Sequence, residues 1–270
     1  MKTVLITGAA GKIGSGMRPF LRGKYRLRLS DVKPVSALQP GEEFSPADLL
    51  DIDALVRIAR GADALVHLGG VSKEDAWDQI LPANIVGAYN VFEAARRTGV
   101  KRVIFASSNH AVGYYRRDQK ISSDAPARPD GRYGLSKVFG EALGSLYADK
   151  YGLEVLCIRI GAMTERPMHL RQLAIWVSPR DLAQLIQIGI ERLPLHFEIV
   201  FGMSDNKRAW WDNANALRLG YRPHDRSEDN AEEAIRQEPA HEPDDPALIF
   251  QGGPYVTAEF IADPSKPKGR

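Results

Sequence analysis

The chain has 270 residues, 44% of them hydrophobic, which is enough to bury the core of one large domain. Its 36 lysines and arginines nearly balance 34 aspartates and glutamates, and they are scattered rather than gathered into a stripe that binds a nucleic-acid backbone. No apolar run is long enough to cross a bilayer and no signal-peptide pattern opens the chain, so we expect a cytoplasmic protein that binds neither nucleic acid nor membrane.

Short β-branched and leucine-rich runs alternate with segments of helical periodicity. Strands are predicted at residues 3–7, 26–30, 64–68, 102–106 and 154–160. Helices are predicted at residues 12–21, 51–60, 77–98, 133–151 and 179–191, and we expect Pro19 and Pro82 to kink or shorten two of them. This alternation is typical of the α/β class, a Rossmann doubly wound parallel sheet with helices on both faces.

A glycine-rich run, Thr7-Gly8-Ala9-Ala10-Gly11-Lys12-Ile13-Gly14, follows the first strand. Glycines permit a tight turn there, and the N-terminus of the next helix offers free N–H groups to a pyrophosphate. Asp31 ends the second strand, where a carboxylate binds ribose hydroxyls and repels a ribose phosphate. We therefore predict NAD rather than NADP, although Lys33 would offset part of that repulsion.

Two later segments are expected to meet at the carboxyl edge of the sheet. One contains Ser107 and Ser108, and the other places Tyr133 and Lys137 on one face of a helix. A phenol has a reference pKa of about 10. A neighbouring ammonium, a bound nicotinamide and a serine hydroxyl can lower that pKa, so Tyr133 is predicted as a general base assisted by Lys137 and Ser108.

These motifs, in this order, resemble those of the extended short-chain dehydrogenases, the NAD-dependent epimerase/dehydratase family, over about the first 160 residues. The resemblance implies an NAD-binding Rossmann domain at residues 1–160, with substrate-binding segments and a C-terminal extension at residues 161–270 packed on the same domain as a small lobe. Carried over by position, the cofactor contacts fall on Gly8, Ala10, Gly11, Lys12, Ile13, Gly14, Asp31, Asp48, Leu49, Leu68, Gly69, Gly70, Asn84, Tyr133 and Lys137.

Further runs resemble the uronate dehydrogenases over nearly the whole chain. They are His67-Leu68-Gly69-Gly70-Val71-Ser72, Ala106-Ser107-Ser108-Asn109-His110, Arg128-Pro129-Asp130-Gly131, Trp210-Trp211-Asp212-Asn213 and Phe250-Gln251-Gly252-Gly253. That family oxidises the anomeric carbon of glucuronate or galacturonate to an aldarolactone with NAD. The resemblance implies substrate contacts at Ser72, Ser108, Asn109, His110, Tyr133 and Arg171.

Among these implied contacts, Arg171 would fork onto the substrate carboxylate with two parallel hydrogen bonds. His110 would donate a hydrogen bond to a sugar hydroxyl, since no cluster of metal-ligating residues surrounds it and we expect no metal. Ala162 stands where the family pattern leads us to expect a small hydroxyl residue, which puts one polar contact in doubt.

Two other functions stay open. A nucleotide-sugar epimerase or dehydratase shares the cofactor end and the tyrosine, but the chain after residue 161 is short for holding a sugar joined to a nucleotide diphosphate. A non-catalytic dinucleotide sensor would have no use for Tyr133 together with Lys137. By analogy with related enzymes, we also expect a homo-oligomer paired through the long helices at residues 77–98 and 133–151.

Three remaining features are expected to be structural. Cys157, the single cysteine, lies in an apolar strand and is predicted to be a core residue. Trp210 and Trp211 are predicted to pack as an aromatic pair. Residues 226–246 are acidic and contain proline, which favours a solvated surface segment.

Overall fold

The computed structural model describes residues 1–240, 242 and 245–263. Nine strands lie in this part of the chain: β1 (Thr3–Thr7), β2 (Arg26–Ser30), β3 (Glu42–Phe44), β4 (Ala64–His67), β5 (Arg102–Ser108), β6 (Glu154–Ile160), β7 (Ala162–Met163), β8 (Trp176–Val177) and β9 (Phe197–Gly202). Seven of them form a parallel sheet in the order β3-β2-β1-β4-β5-β6-β9, and β7 pairs with β8 alone. All seven therefore end at one edge of the sheet.

Helices cover both faces of this sheet. One face carries α1 (Lys12–Leu21) and α7 (Pro179–Glu191), and the other carries α2 (Ile52–Ala59), α4 (Gly87–Thr98) and α5 (Arg132–Tyr151). The shorter helices are α3 (Trp77–Ile80), α6 (Leu170–Ile175), α8 (Ala214–Arg218), α9 (Ala231–Arg236), α10 (Pro246–Ile249) and α11 (Pro254–Thr257). The predicted doubly wound Rossmann class is confirmed.

Strand β1 illustrates why the sheet needs helices on both sides. Val4 and Ile6 point into the core beneath α1 and α7, whereas Leu5 points into the opposite core. None of the three is exposed to solvent. Alternate residues of a strand face opposite sides, so a continuous apolar run requires cover on both faces.

The sheet extends beyond the strands predicted from sequence. β3 was missed because two of its three residues are glutamates, which are not typical of strands. Its Glu42 accepts a hydrogen bond from the buried Arg18 side chain at 3.1 Å, so an ion pair holds this edge strand. β9 was also missed, and because it follows residue 160 the sheet continues past the predicted domain boundary.

The helix predicted at residues 77–98 is interrupted. Residues Leu81–Val86 form a π-helical turn between α3 and α4. Pro82 has no N–H to donate and its ring crowds the preceding turn, which accounts for the break. Pro19 does not shorten α1, which ends at Leu21 as predicted.

The acidic segment is less solvated than expected. Ser227 is fully buried, and its hydroxyl donates to the Leu173 carbonyl of α6 at 2.8 Å. Arg166 pairs with Glu233 of α9 at 2.9 Å. The expected surface segment therefore packs against α6 through its described residues, while positions 241, 243 and 244 of that prediction lie outside them.

The core prediction for Cys157 is confirmed, whereas Trp210 and Trp211 do not form the predicted aromatic pair and have different ring partners. Cys157 is completely buried in β6, and that burial raises the pKa of its thiol well above the usual value. Trp211 is also buried and stacks on Phe201 with ring centroids 4.7 Å apart, while Trp210 lies under the Arg117 guanidinium. Within the described ranges, no helix combines the length and apolar character that crossing a membrane would need.

Two helix glycines give a matched test of the packing of α5 on the sheet. A Cβ at Gly140 would overlap the Phe105 ring, whereas a Cβ at Gly16 of α1 would meet only Met163 Cε at 3.4 Å. We expect Gly140→Ala to lower the free energy of unfolding by about 1–3 kcal/mol because it overpacks the core. Gly16→Ala gains helix propensity of about 1 kcal/mol and is expected to be neutral or stabilising. Urea unfolding of both variants measures the difference, and equal effects would contradict this packing.

Candidate active site

A groove of about 540 Å³ runs along the carboxyl ends of β1, β2 and β4. Ligands of open α/β sheets bind at this edge, where the strand order reverses. Twelve of the predicted cofactor residues line it: Gly8, Ala10, Gly11, Lys12, Ile13, Gly14, Asp31, Asp48, Leu49, Leu68, Gly69 and Gly70. The remaining three, Asn84, Tyr133 and Lys137, lie beyond its lining.

The glycine turn brings two loops closer than side chains would allow. Gly8 has a φ of +72°, and a Cβ there would lie 2.5 Å from the amide nitrogen of Gly69. A Cβ at Gly14 would lie 2.5 Å from the Gly8 carbonyl oxygen. The backbone of Gly8, Gly11 and Gly14 is therefore free of side chains where the groove meets the start of α1, which is the arrangement that a pyrophosphate needs.

Asp31 lies at the end of β2 and closes one end of this groove. Its Oδ2 accepts a hydrogen bond from the Ala10 amide at 3.0 Å, and its Oδ1 accepts one from the Lys33 amide at 3.0 Å. These bonds hold the carboxylate beside the glycine turn with lone pairs left for a ribose. The residues thus fit a dinucleotide whose adenosine ribose carries free hydroxyls.

Asn84, a predicted cofactor residue, makes its side-chain hydrogen bonds within the chain. It is buried in the π-helical turn, accepts a hydrogen bond from the Val71 amide at 2.7 Å, and donates to the Val71 carbonyl and the Ser136 hydroxyl at 3.0 Å. Its side-chain amide is therefore occupied within the chain, and it ties the loop after β4 to α5.

A smaller cavity of about 200 Å³ adjoins the cofactor groove and shares the loop after β4 with it. The predicted catalytic and substrate residues that line this cavity are Ser72, Ser108, Asn109, His110, Tyr133 and Lys137. The fold therefore gathers the predicted catalytic residues and five of the six predicted substrate residues at one place. Arg171, the sixth, is not in the lining.

The phenol of Tyr133 and the ammonium of Lys137 are both buried. The Nζ atom of Lys137 lies 5.4 Å from the Tyr133 ring centroid and 5.3 Å from that of Phe105. Burial lowers the pKa of Lys137 to about 8, since a charged group is costly away from water. The lysine nonetheless stays mostly charged at neutral pH.

The pKa of Tyr133 differs in direction from the sequence-based expectation. Burial raises it to about 12, against a smaller lowering effect from the hydrogen bond with Ser108. The charge of Asp130 raises it further. The polypeptide alone therefore does not lower this pKa, because desolvation outweighs the hydrogen bond with Ser108.

Arg171 stands behind the cavity wall rather than on its surface. Its Nε and Nη2 groups both donate to the Gln251 carbonyl, at 3.1 and 2.9 Å, and Nη2 also donates to the Gly252 carbonyl at 2.9 Å. With its amide oriented to pair with both neighbours, Asn109 donates to the Ile160 carbonyl at 3.2 Å and accepts from Arg171 Nη2 at 3.1 Å. Nη1 is the one guanidinium nitrogen without a hydrogen bond to the described residues. The expected pair of parallel hydrogen bonds from two nitrogens to a substrate carboxylate is therefore not available.

Three residues of the site were not singled out from the sequence. Tyr255 of α11 lines the cavity, stacks on His110 with ring centroids 4.0 Å apart, and donates to the Ser72 carbonyl at 3.4 Å. Asp130 accepts from His110 Nδ1 at 2.7 Å. Glu74 accepts hydrogen bonds at 2.9 Å from two backbone amides at the start of α5, including that of Tyr133. Asp130 belongs to the segment Arg128-Pro129-Asp130-Gly131 that carries the family resemblance, whereas no sequence motif contains Tyr255 or Glu74.

Comparison with known proteins identifies the family. Residues 4–164 match the family model described as the NAD dependent epimerase/dehydratase family. The chain belongs to this family. Among the described residues, no group of three or more His, Cys, Asp or Glu side chains could hold a metal ion.

Relatives within the family share almost the full chain. A uronate dehydrogenase from Pseudomonas putida is 48% identical over 257 residues, covering 94% of this chain and 96% of the relative. A tyrosine-to-alanine mutant of uronate dehydrogenase from Agrobacterium tumefaciens, solved in complex with NAD, superposes with a TM-score of 0.92 at 41% identity, covering 97% and 100% of the two chains. A NAD-dependent glucose-6-phosphate dehydrogenase from Haloferax volcanii is 36% identical, covering 88% and 98%. The resemblance predicted from the motifs is confirmed.

Asp31 offers a test of the cofactor end. We expect Asp31→Asn to raise the KM for NAD about tenfold, because hydrogen bonds to charged groups contribute about 1.5–3 kcal/mol each. The same variant is expected to narrow the preference for NAD over NADP, since it removes the charge that repels a ribose phosphate. Asp63→Asn, a substitution of an exposed carboxylate near the opposite end of β1, is the control. Unchanged NAD and NADP kinetics in Asp31→Asn would contradict the assignment.

Proposed function

We propose that the protein is an NAD-dependent uronate dehydrogenase that oxidises the anomeric carbon of free glucuronate or galacturonate to the aldarolactone. Family membership, the relatives that are named uronate dehydrogenases, and a groove that fits NAD support this function. The adjoining cavity is smaller than the about 300–1,000 Å³ of typical ligand pockets, which suits one sugar ring. A sugar joined to a nucleotide diphosphate would need more room.

The observation that carries the substrate class is the half-buried charge of Arg171. Burial lowers the pKa of this guanidinium to about 10, so it is still charged at neutral pH. No carboxylate among the described residues forms an ion pair with it, and its bonded partners there are two carbonyls and one amide. Asp130 acts on this guanidinium only from a distance, and a partly desolvated cation without an anion in contact is unfavourable. A substrate carboxylate that reaches Nη1 supplies the missing negative charge.

The chain's own groups supply the proton transfer. The anomeric hydroxyl lies between Tyr133 and Ser108, and the Tyr133 phenolate removes its proton while Ser108 holds the oxygen in place. Bound in the groove, NAD accepts the hydride from the same carbon. Lys137 adds positive charge beside the phenolate, and the loss of a proton and a hydride from a ring hemiacetal leaves a lactone. No metal takes part in this scheme.

Residue-level roles are part of the same proposal. Ser72 and His110 contact the sugar, while Asn109 acts mainly by joining Arg171 to the cavity wall. Ala162, at the start of β7, contributes no side-chain hydroxyl, so the polar contact expected there is supplied elsewhere or lost. The division at residue 160, the homo-oligomer and the cytoplasmic location stay predictions.

A substrate panel with Tyr133→Phe tests the reaction. The protein is mixed with NAD and either galacturonate, glucuronate, galactose, glucose 6-phosphate or a uridine diphosphate sugar, and NADH is followed by absorbance. The two uronates are expected to give NADH. Tyr133→Phe is expected to lower kcat about 10²- to 10⁴-fold, the usual range for loss of acid-base catalysis. If glucose 6-phosphate, the substrate named for the Haloferax relative, is oxidised faster than both uronates, the proposed substrate is wrong.

Arg171→Met tests the carboxylate contact. We expect kcat/KM for galacturonate to fall about 100-fold, because a charge-assisted bond and a buried countercharge are lost, while the slow oxidation of galactose changes little. Arg117→Met is the control, because Arg117 also holds the C-terminal segment, by donating to the Phe250 carbonyl at 3.2 Å. If Arg171 only anchored that segment, the two variants would lose both substrates to a similar extent.

The pH profile tests the ionisation of Tyr133. Its raised pKa means that the neutral phenol predominates at pH 7 and the active phenolate increases tenfold with each unit of pH. We expect log kcat/KM to rise with a slope near 1 between about pH 6 and 7.5, below the pKa of about 8 at which Lys137 begins to lose its charge. The residual activity of Tyr133→Phe should lack this slope. A rate that falls as pH rises through that interval would refute the role.

A further inference from the structure

His110 is held by a second side chain that the reaction scheme does not use. Its Nδ1 atom lies 2.7 Å from Oδ2 of Asp130, whose side chain is completely shielded from solvent. The His110 ring is fixed further by stacking on Tyr255 and by an edge contact with Tyr133, with ring centroids 4.0 and 5.7 Å apart. The imidazole therefore has one orientation, with Nδ1 directed away from the cavity that the residue lines.

Asp130 occupies a pocket formed by three glycines, Gly113, Gly134 and Gly252, which we call the glycine pocket. A Cβ at Gly113 or Gly252 would overlap Oδ2, and a Cβ at Gly134 would lie 3.0 Å from Oδ1. Three separate segments thus leave space for this one carboxylate. The other oxygen, Oδ1, is buried without a hydrogen-bond partner among the described residues. A buried carboxylate with one unsatisfied oxygen is costly to maintain, which points to a role beyond packing.

An ionised carboxylate can only accept hydrogen bonds, so Nδ1 of His110 must carry a proton. In the neutral imidazole the second nitrogen, Nε2, is then an acceptor. Nε2 makes no hydrogen bond to any described residue, although only 8% of His110 is exposed. The lone pair of Nε2 is therefore free, and His110 lines the cavity of about 200 Å³ that we propose for the sugar.

We propose that Asp130 is a positioning residue that fixes His110 as the Nδ1–H tautomer, so that Nε2 accepts a hydrogen bond from one ring hydroxyl of the substrate. This inference rests on the proposed function, and it reverses the donor role first expected of His110. The site then selects a group that can donate at that ring position. A hydroxyl or an amino group is accepted, and a fluorine or a methoxy group is rejected.

The first experiment needs no substrate. Histidine side chains labelled with ¹⁵N are observed by long-range ¹H–¹⁵N correlation, which distinguishes the two neutral tautomers. We expect His110 to be protonated at Nδ1 in the unmodified protein and to lose that preference in Asp130→Asn, whose amide can donate to Nδ1. His196 pairs with Asp149 at 2.8 Å on the surface, and Asp149→Asn is the matched control that leaves the His110 signals unchanged. An Nε2–H tautomer, or a ring protonated at both nitrogens, in the unmodified protein at the pH of the activity measurement would overturn the proposal.

The second experiment measures selectivity with deoxyfluoro analogues of galacturonate, each lacking one ring hydroxyl other than the anomeric one. We expect one analogue to lose at least tenfold in kcat/KM relative to galacturonate. That loss should shrink several-fold in Asp130→Asn and in His110→Ala, and the double variant should show little further change. A purely structural role of Asp130 would lower all substrates together and leave the ratio as it was.

The two experiments separate the possible failures. If no uronate is oxidised but the tautomer depends on Asp130, the proposed substrate is wrong while the pairing of Asp130 with His110 stands. If uronates are oxidised and the analogue ratio is unaffected in Asp130→Asn, the specificity role is wrong and the proposed function stands. Thermal unfolding and NAD binding of Asp130→Asn confirm that the isosteric variant is folded.

Discussion

The removal of Tyr133 and Lys137 from water is the constraint on which the rest of the site depends. Burial moves the pKa of the phenol up and that of the ammonium down, so each group is pushed towards its neutral form. The charged form of either residue is therefore unfavourable here, and a bound group of opposite charge shifts its protonation equilibrium strongly. The exclusion of water also makes each hydrogen bond in the cavity stronger than it would be at the surface.

The walls of the sugar cavity come from parts of the chain that are far apart in sequence. β5 supplies Ser108, α5 supplies Tyr133, and the C-terminal segment supplies Tyr255. Gln251 holds this last segment, since its side chain accepts from the Trp211 indole at 2.9 Å and donates to the carbonyls of Arg116 and Gln119. The cofactor groove, by contrast, is built almost entirely from the first 83 residues.

That contrast explains what could be predicted from sequence. The glycine turn, Asp31 and the Tyr133–Lys137 spacing are local patterns with a direct physical meaning. Helices α1 and α7 have the predicted bounds, and α7 begins at a clear signal, the Ser178 cap followed by Pro179. The bonds of Arg171 to the Gln251 carbonyl join residues 80 positions apart, and no spacing rule encodes them. Likewise, the desolvation that raises the pKa of Tyr133 depends on the whole packed site. Asn84 was assigned to the cofactor from the family resemblance, and its side-chain bonds to Val71 and Ser136 join residues 13 and 52 positions apart, which no local pattern encodes.

The position of Tyr255 near the end of the chain has a consequence for how the enzyme matures. On the ribosome, the N-terminal region emerges and can fold first. All residues that line the cofactor groove precede α5 in the sequence. The smaller cavity beside it, by contrast, is complete only after Tyr255 of α11 has left the exit tunnel. The wall that Tyr255 provides is therefore the last part of the site to be synthesised.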